Sequence, residues 1–248
     1  MTNRLPEYTV LTCFRDNIAF FNIADGKHQT TIPLENMIFT RAQEPLDNGI
    51  SFADAFYSFG INYPGAITNN NYPNFLQNLN APDGFIRDLG TVDILRDRER
   101  GVPRYNQFRR LLRMPAPKTF EELTGGNLQL AQELKDVYNN DIEKVDTLIG
   151  CHSEPLPKGF GFSDTAFRIF VLMASRRLKS DRFIASQWNK ETYTPEGFHW
   201  VQYTTMKDVL TRHYPELAPV LKKSKNVFAP WEKLSESKKY TGIETNAP

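Results

Sequence analysis

The chain has 248 residues, 40% of them hydrophobic and 24% charged, with a formal net charge of +1. That is enough for one substantial core or two small ones. A balance so close to neutral gives no whole-molecule attraction to nucleic acid or to an anionic membrane surface. Cys13 and Cys151 are the only cysteines, with no CxxC motif between them. They imply no disulfide framework, and a reducing compartment, cytoplasmic by default, is expected. Met1 to Glu7 is polar with no apolar run behind it, so no secretory signal is expected. No apolar stretch reaches the roughly 18 residues that a membrane-spanning helix requires. Eighteen phenylalanines imply an aromatic-rich interior.

In chain order, residues 1–50 give little assignment. Ile18 to Ile23 followed by Asp25-Gly26 reads as a short strand and turn, and Asn36 to Arg41 as another short apolar patch. Ser51 to Gly60 predicts a short helix with Gly60 as its C-cap, and the steps between Phe52, Phe56 and Phe59 put three rings on one face, expected in the core. Asn62 to Asp83 is rich in Asn, Pro and Gly and reads as a long irregular segment, a kind that is usually functional or wraps a partner. A charged helix follows, ending near Gly101, then another through about Leu112, stopped by Met114 to Lys118. Thr119 with Glu122 forms a capping box. Leu128 to Val137 is amphipathic, with Leu130, Leu134 and Val137 on a shared face, and Gly150 to Gly161 reads as a Pro/Gly loop.

Ser163 caps the most hydrophobic helix, Ala166 to Ala174 and on to Leu178. It is apolar nearly all round, which predicts a buried core helix in which Arg168 needs a partner. Trp188 to Trp200 reads as a polar loop, Thr205 to His213 as an amphipathic helix, and residues 232–248 as a disordered charged tail. The expected class is mainly α, with short strands near the N-terminus only.

Standard chemical signals are missing: no GxxxxGK, GxGxxG, GxSxG or HExxH occurs. His28, His152, His199 and His213 are scattered and read as surface or structural residues. Asp141, Glu143 and Asp146 read as a solvated acidic face. The densest charge lies in Asp88 to Arg113, where Arg96, Arg98, Arg100, Arg104, Arg109, Arg110 and Arg113 occur. Helical steps of four, three and four align Leu89, Asp93, Arg96 and Arg100. Three readings of this cluster stand open. It could grip a nucleic-acid backbone, which the interleaved acids disfavour. It could hold carboxylates of a cofactor or substrate, for which guanidinium forks suit. It could be structural.

Three blocks in order, DLGTVDILRDRERGVPRYNQFRR (Asp88 to Arg110), KGFGFSDTAFRIFVLMASRRLKSDRF (Lys158 to Phe183) and RHYPEL (Arg212 to Leu217), resemble the animal-type haem peroxidase superfamily. The nearer likeness is to the branch of plant alpha-dioxygenases, fungal linoleate diol synthases and their bacterial relatives. The likeness covers roughly residues 56–231 and falls in the C-terminal half of such proteins. It implies a mostly helical fold around a haem b. Asp93 would sit where the family hydrogen-bonds the haem's proximal histidine, and Arg96 where it meets a haem propionate. Phe167, Phe170 and Val171 would line a fatty-acid channel. Arg176 or Arg177 would meet the fatty-acid carboxylate, a structural ion pair being the alternative. Tyr8 is placed at the family's radical-forming tyrosine, and Leu11 where the proximal histidine is expected.

The family's distal histidine has no counterpart in this sequence, so the resemblance implies an N-terminally truncated peroxidase fold. A truncated product, a mis-assigned start and one part of a split enzyme all fit. The implied function is haem-dependent peroxidase or fatty-acid dioxygenase chemistry, acting on a peroxide or fatty acid in oxylipin formation or the response to oxidative stress. The missing half or a further copy of the chain would be its partner. The alternative is a non-catalytic remnant or interaction domain.

Overall fold

The structure is a computed structural model and describes residues 17–62, 67–69 and 71–234. Strands β1 (Asn17–Phe21) and β2 (His28–Pro33) lead through two 3-10 turns to helices α1 (Glu44–Asp47) and α2 (Phe52–Ile61). A two-residue hairpin, β3 (Leu79–Asn80) and β4 (Ile86–Arg87), precedes α3 (Leu89–Glu99), α4 (Tyr105–Leu111), α5 (Phe120–Leu123), α6 (Leu128–Val137) and α7 (Thr147–Ser153). Then come α8 (Asp164–Ser180), α9 (Lys190–Tyr203), α10 (Met206–His213) and α11 (Ala218–Leu221). The mainly helical class expected from the sequence is what forms. The chain divides into two compact units, one of residues 1–64 with 193–248 and the other of residues 65–192.

In the first unit, β1 and β2 pair antiparallel from Asn17↔Pro33 to Phe20↔Thr30, with a bulge before Phe21. The turn between them needs the positive φ of 73° at Gly26. Helix α2 starts at Ser51, whose side chain accepts the Asp54 N–H. It is tied to β1 by two buried polar side chains. The Ser58 hydroxyl accepts the Phe21 N–H at 2.8 Å, and the Asp54 carboxylate accepts the Ile23 N–H at 2.7 Å. Its core face is Ala53, Tyr57 and Ile61, packed with Leu210, Leu217 and Leu221. Gly60 is not a cap. It lies within α2 against the Trp231 ring, and a Cβ there would come within 2.1 Å of the indole.

The second unit packs Tyr105, Phe120, Leu123, Ala131, Leu134, Tyr138 and Val145 together. Thr119 caps α5 by accepting the Glu122 N–H, but the Glu122 carboxylate takes the N–H of Lys118, so only half of the capping box closes. Helix α6 buries Ala131 and Leu134, with Tyr138 just beyond its end, and leaves Val137 exposed. The stripe is therefore rotated by a residue from the one expected. The first residues of the expected Gly150 to Gly161 loop belong to α7. There Gly150 abuts Tyr105, and a Cβ would clash with its ring at 2.2 Å.

The acidic patch is solvated at Asp141 and Glu143, as expected, but not at Asp146. Asp146 is 3% exposed and draws in three donors. Arg98 grips it through Nε at 2.9 Å and Nη2 at 2.7 Å, Tyr138 donates its hydroxyl at 2.9 Å, and Arg104 completes the set. Its partners are 42 to 48 residues away along the chain for the two arginines, so local pattern could not reveal them. Beside it, Glu143 receives Arg110 and the Asn106 side chain.

The aromatic interior is smaller than the composition implied. Among the described residues only Phe20 and Phe120 are buried phenylalanines, while Phe52, Phe59, Phe162, Phe170 and Phe183 are about half exposed or more. Trp188 to Trp200 is also not a loop throughout, because α9 occupies most of it. Its backbone breaks at Thr194, with φ of 60°, directly before Pro195. Proline suits the first turn of a helix, so a second helical piece starts where the polar composition suggested a loop. Helix α10 forms as expected, and Thr205 with Asp208 closes a complete capping box at its start.

The Asp146 cluster predicts a specific loss. Asp146→Ala should destabilise the protein by about 2–3 kcal/mol, less than a fully buried pair because both guanidinium groups still reach water. Urea unfolding at neutral pH measures it. Burial alone would push the Asp146 carboxyl up, but Arg98, Tyr138 and Arg104 outweigh it and hold it low. Glu143 is also held low, by Arg110 first and then by Asn106, and Glu121 sits at about 2 beside Lys135. Carboxylates depressed in the folded state stabilise fully above their unfolded values, about 4, and lose that contribution as pH falls through the folded ones. The urea midpoint should therefore fall steeply between about pH 4 and pH 2, and less steeply in Asp146→Ala.

Candidate functional site

Helix α3 is the centre of the candidate site. Asp88 is its N-cap, accepting the N–H groups of Gly90 at 3.0 Å and Thr91 at 3.3 Å and the Thr91 hydroxyl at 2.8 Å. The Tyr72 hydroxyl accepts the Gly90 N–H at 2.9 Å and lies 3.3 Å from the Asp88 carboxylate. Burial, with the nearby acids, pushes this phenol up, and hydrogen bonds led by Thr91 hold Asp88 low. The irregular segment before the hairpin is thus anchored to the start of α3. Asn70, within that segment, lies outside the described residues.

The arginines from the last turn of α3 through α4 divide by partner. Arg98 and Arg104 meet Asp146, and Arg110 meets Glu143. Arg109 enters the most buried polar cluster. Its Nη1 donates to Glu154 and to the Thr165 hydroxyl, both at 2.7 Å, and its Nε to the Pro115 carbonyl at 2.6 Å. Glu154 also accepts the Thr165 N–H at 2.8 Å and the Tyr105 hydroxyl. Burial, then Glu154, pushes the Tyr105 phenol strongly up, and burial raises the Cys151 thiol to about 12. Neither is poised for proton or nucleophile chemistry at neutral pH. This cluster fastens α4, α7 and the start of α8 together. No local pattern signals it, since Arg109 and Glu154 are 45 residues apart.

Asp93 and Arg96 are different. They lie one turn apart on α3, 3.8 Å from each other, with side chains 62% and 59% exposed. No described residue of α3 is buried. The Asp93–Arg96 pair therefore faces outward, available to a ligand and not needed by the core. The stripe expected from helical spacing exists, with Leu89 partly buried and Asp93, Arg96 and Arg100 exposed.

Helix α8 corrects another expectation. It is not a buried core helix: among its residues only Thr165 is buried, and Phe170, Leu172, Met173 and Leu178 are half exposed or more. A helix that is apolar all round needs cover on every side, and here Thr165 is buried while Ala166, Ile169 and Ala174 are only partly covered. Phe167 and Phe170 stack at 6.2 Å, Phe160 meets Phe167 edge-on at 4.6 Å, and Val171 lies alongside, 43% exposed. Arg168 finds its partner in Asp164 at 3.6 Å. Arg176 and Arg177 are exposed at the helix end, and neither makes an ion pair with a described residue. Tyr8 and Leu11 lie outside the described residues.

A haem offers two carboxylates and an iron. The exposed Arg96 guanidinium beside Asp93 fits a carboxylate. The iron would need one axial imidazole, and among the described residues His28 meets Thr31 and Phe21 while His199 meets the Tyr203 ring, with no carboxylate to orient either. Burial pushes the half-buried His152 down, keeping it neutral, but no carboxylate orients it. No helix among the described residues is long and apolar enough to cross a membrane.

The chain belongs to the animal haem peroxidase family, whose pattern matches residues 8–228. Within that family it is similar to Alpha-dioxygenase 2 of Arabidopsis thaliana, 42% identical over 207 residues that make up 81% of this chain and 32% of that protein. Alpha-dioxygenase PIOX of Nicotiana tabacum is 43% identical over 81% of this chain and 32% of its own length. The crystal structure of Oryza sativa fatty acid alpha-dioxygenase with palmitic acid matches 91% of this chain and 39% of that one, at 37% identity and a TM-score of 0.81. Peroxidase A from Dictyostelium discoideum shares the fold at a TM-score of 0.65. The chain spans about a third of the length of the curated relatives it matches.

The exposure of Asp93 and Arg96 predicts that the fold does not need them. Asp93→Ala and Arg96→Ala should each change stability by less than about 0.5 kcal/mol. Glu154→Ala, which strands Arg109 and Thr165, should cost about 3 kcal/mol or more. Parallel thermal unfolding of the three variants compares them directly.

Proposed function

We propose that the chain is the C-terminal portion of a haem-dependent fatty-acid oxygenase of the alpha-dioxygenase kind, and that it works when completed by the remaining part of that fold. The carrying observation is the Asp93–Arg96 pair: charged, aligned on one face of α3, and free of any role in the core. Arg96 would bind a haem propionate, where a guanidinium forms charge-assisted hydrogen bonds. Asp93 would accept the ring N–H of the imidazole that ligates the iron, fixing its tautomer and raising its basicity. That imidazole comes from outside the described residues. Haem, when bound, supplies the oxidising equivalent. Phe167, Phe170 and Val171 would form one wall of an apolar channel for the acyl chain and keep water from it. Arg176 or Arg177 would hold the fatty-acid carboxylate and so orient the chain. Tyr8 is the proposed hydrogen-abstracting residue.

Complementation tests this reading. The chain is mixed with haem and the N-terminal two thirds of the Oryza sativa fatty acid alpha-dioxygenase, and oxygen uptake is followed with palmitic acid. The expected result is palmitate-dependent uptake, reduced at least tenfold by Arg96→Ala. If that enzyme's own C-terminal third restores uptake and this chain does not, the reading fails, and a non-catalytic member of the fold remains.

A further inference from the structure

Helix α9 buries none of its residues, yet its second piece carries rings on one side. Glu196, His199, Trp200 and Tyr203 fall at i, i+3, i+4 and i+7, which is one face of a helix. They meet Asp208 and Arg212 of α10 across a cleft of about 740 Å³ that lies within the first unit. Leu210 fixes α10 to the core of that unit. The turn between the helices is pinned by the Thr204 N–H, which donates to the Trp200 carbonyl at 2.9 Å, and by the Thr205 capping box. The α9 wall starts at Thr194, whose hydroxyl accepts the Gly197 N–H at 3.2 Å and so caps the second piece. Its φ of 60° is rare for a β-branched residue, and strain of this kind collects at binding sites. Asp208 spends one oxygen on its own cap, holding the Thr205 N–H and hydroxyl at 2.8 and 2.6 Å. Glu196 and Arg212, on opposite walls, form no ion pair with a described residue. Trp200 and Tyr203 remain 53% and 64% exposed, with Val201 and Met206 exposed beside them on the same turn.

We propose that this cleft binds the zwitterionic headgroup of a phosphocholine lipid and so seats the first unit on a membrane surface. Arg212 takes the phosphate through charge-assisted hydrogen bonds. A quaternary ammonium has no N–H to donate, so it is held by aromatic faces and a nearby negative charge, which Trp200, Tyr203 and Glu196 supply. Trp and Tyr, each with an apolar body and a polar tip, favour the headgroup level, and Val201 and Met206 add apolar surface at the same turn. A protein surface laid over the cleft would take Glu196 and Arg212 out of water, at a cost that only paired charges offset. One headgroup brings both counter-charges and leaves the cleft at the water boundary. Inorganic phosphate would use Arg212 and leave the rings and Glu196 idle. An anionic headgroup would face Glu196 with like charge, and a net charge of +1 gives no drive toward an anionic surface. The inference uses the first unit alone and does not rest on the oxygenase reading, so either can fail without the other.

The test is co-sedimentation of the purified chain with phosphatidylcholine vesicles. Binding is expected, released by soluble glycerophosphocholine and not by the same concentration of inorganic phosphate. Phosphatidylglycerol vesicles should capture the chain about tenfold less well. Arg212→Ala and Trp200→Ala alter exposed side chains, and thermal unfolding verifies that both variants fold. Each should weaken vesicle binding about tenfold. Leu172→Glu, on the exposed part of α8, should leave it unchanged. The inference is overturned if the chain does not sediment with phosphatidylcholine vesicles, or if phosphate releases it as well as glycerophosphocholine does. It is equally overturned if phosphatidylglycerol vesicles capture it as well, or if Leu172→Glu abolishes binding that the folded Arg212→Ala and Trp200→Ala variants keep.

Discussion

The second unit depends on one buried carboxylate. Asp146 draws Arg98 and Arg104 toward Tyr138, and so fixes the C-terminal end of α3 and the start of α4 to the same point. A carboxylate this buried is tolerated only because its oxygens are fully used by charged and hydroxyl donors. With Arg98 committed inward, helical geometry leaves Asp93 and Arg96 on another side of α3. The interaction that stabilises the unit thereby sets the direction of the face proposed to bind the cofactor. Arg109, Glu154 and Thr165 repeat the device at the start of α8, and so present the aromatic face of that helix.

Two kinds of charge thus coexist within one short stretch of arginines. Arg98, Arg104 and Arg109 are bound to acids from distant parts of the chain. Among the described residues Arg96 pairs with Asp93, at 3.8 Å and largely exposed. The same contrast holds for the apolar residues. Phe120 and Leu123 are packed, while Phe170, Leu172 and Met173 are not. Among the described residues, Arg96 on α3 and Phe170, Leu172 and Met173 on α8 stay exposed. An uncovered surface of this size is expected to meet another partner or a ligand.

Sequence reasoning succeeded where the signal is local. The end of α3 near Gly101, the Ser163 cap and the β1 turn all rest on residues within a few positions of each other. It failed where the partner is remote. Asp146 looked like part of a solvated face because nothing near it reveals two arginines more than forty residues upstream. Helix α8 and the rings of α2 looked like core because periodicity reports that a face is apolar, not what covers it. The candidate site was half legible: spacing aligned Asp93 with Arg96, and only the family likeness gave that alignment a chemical meaning.

The account stands on the division of labour between Arg96 and Arg98, and one paired measurement addresses it. Thermal unfolding of the chain alone is compared with haem absorbance of the chain completed by the rest of an alpha-dioxygenase fold. Arg98→Ala should lower the unfolding temperature, and Arg96→Ala should leave it unchanged while removing most of the Soret absorbance. An Arg96→Ala variant that unfolds as early as Arg98→Ala and still gives full Soret absorbance when completed would contradict the account.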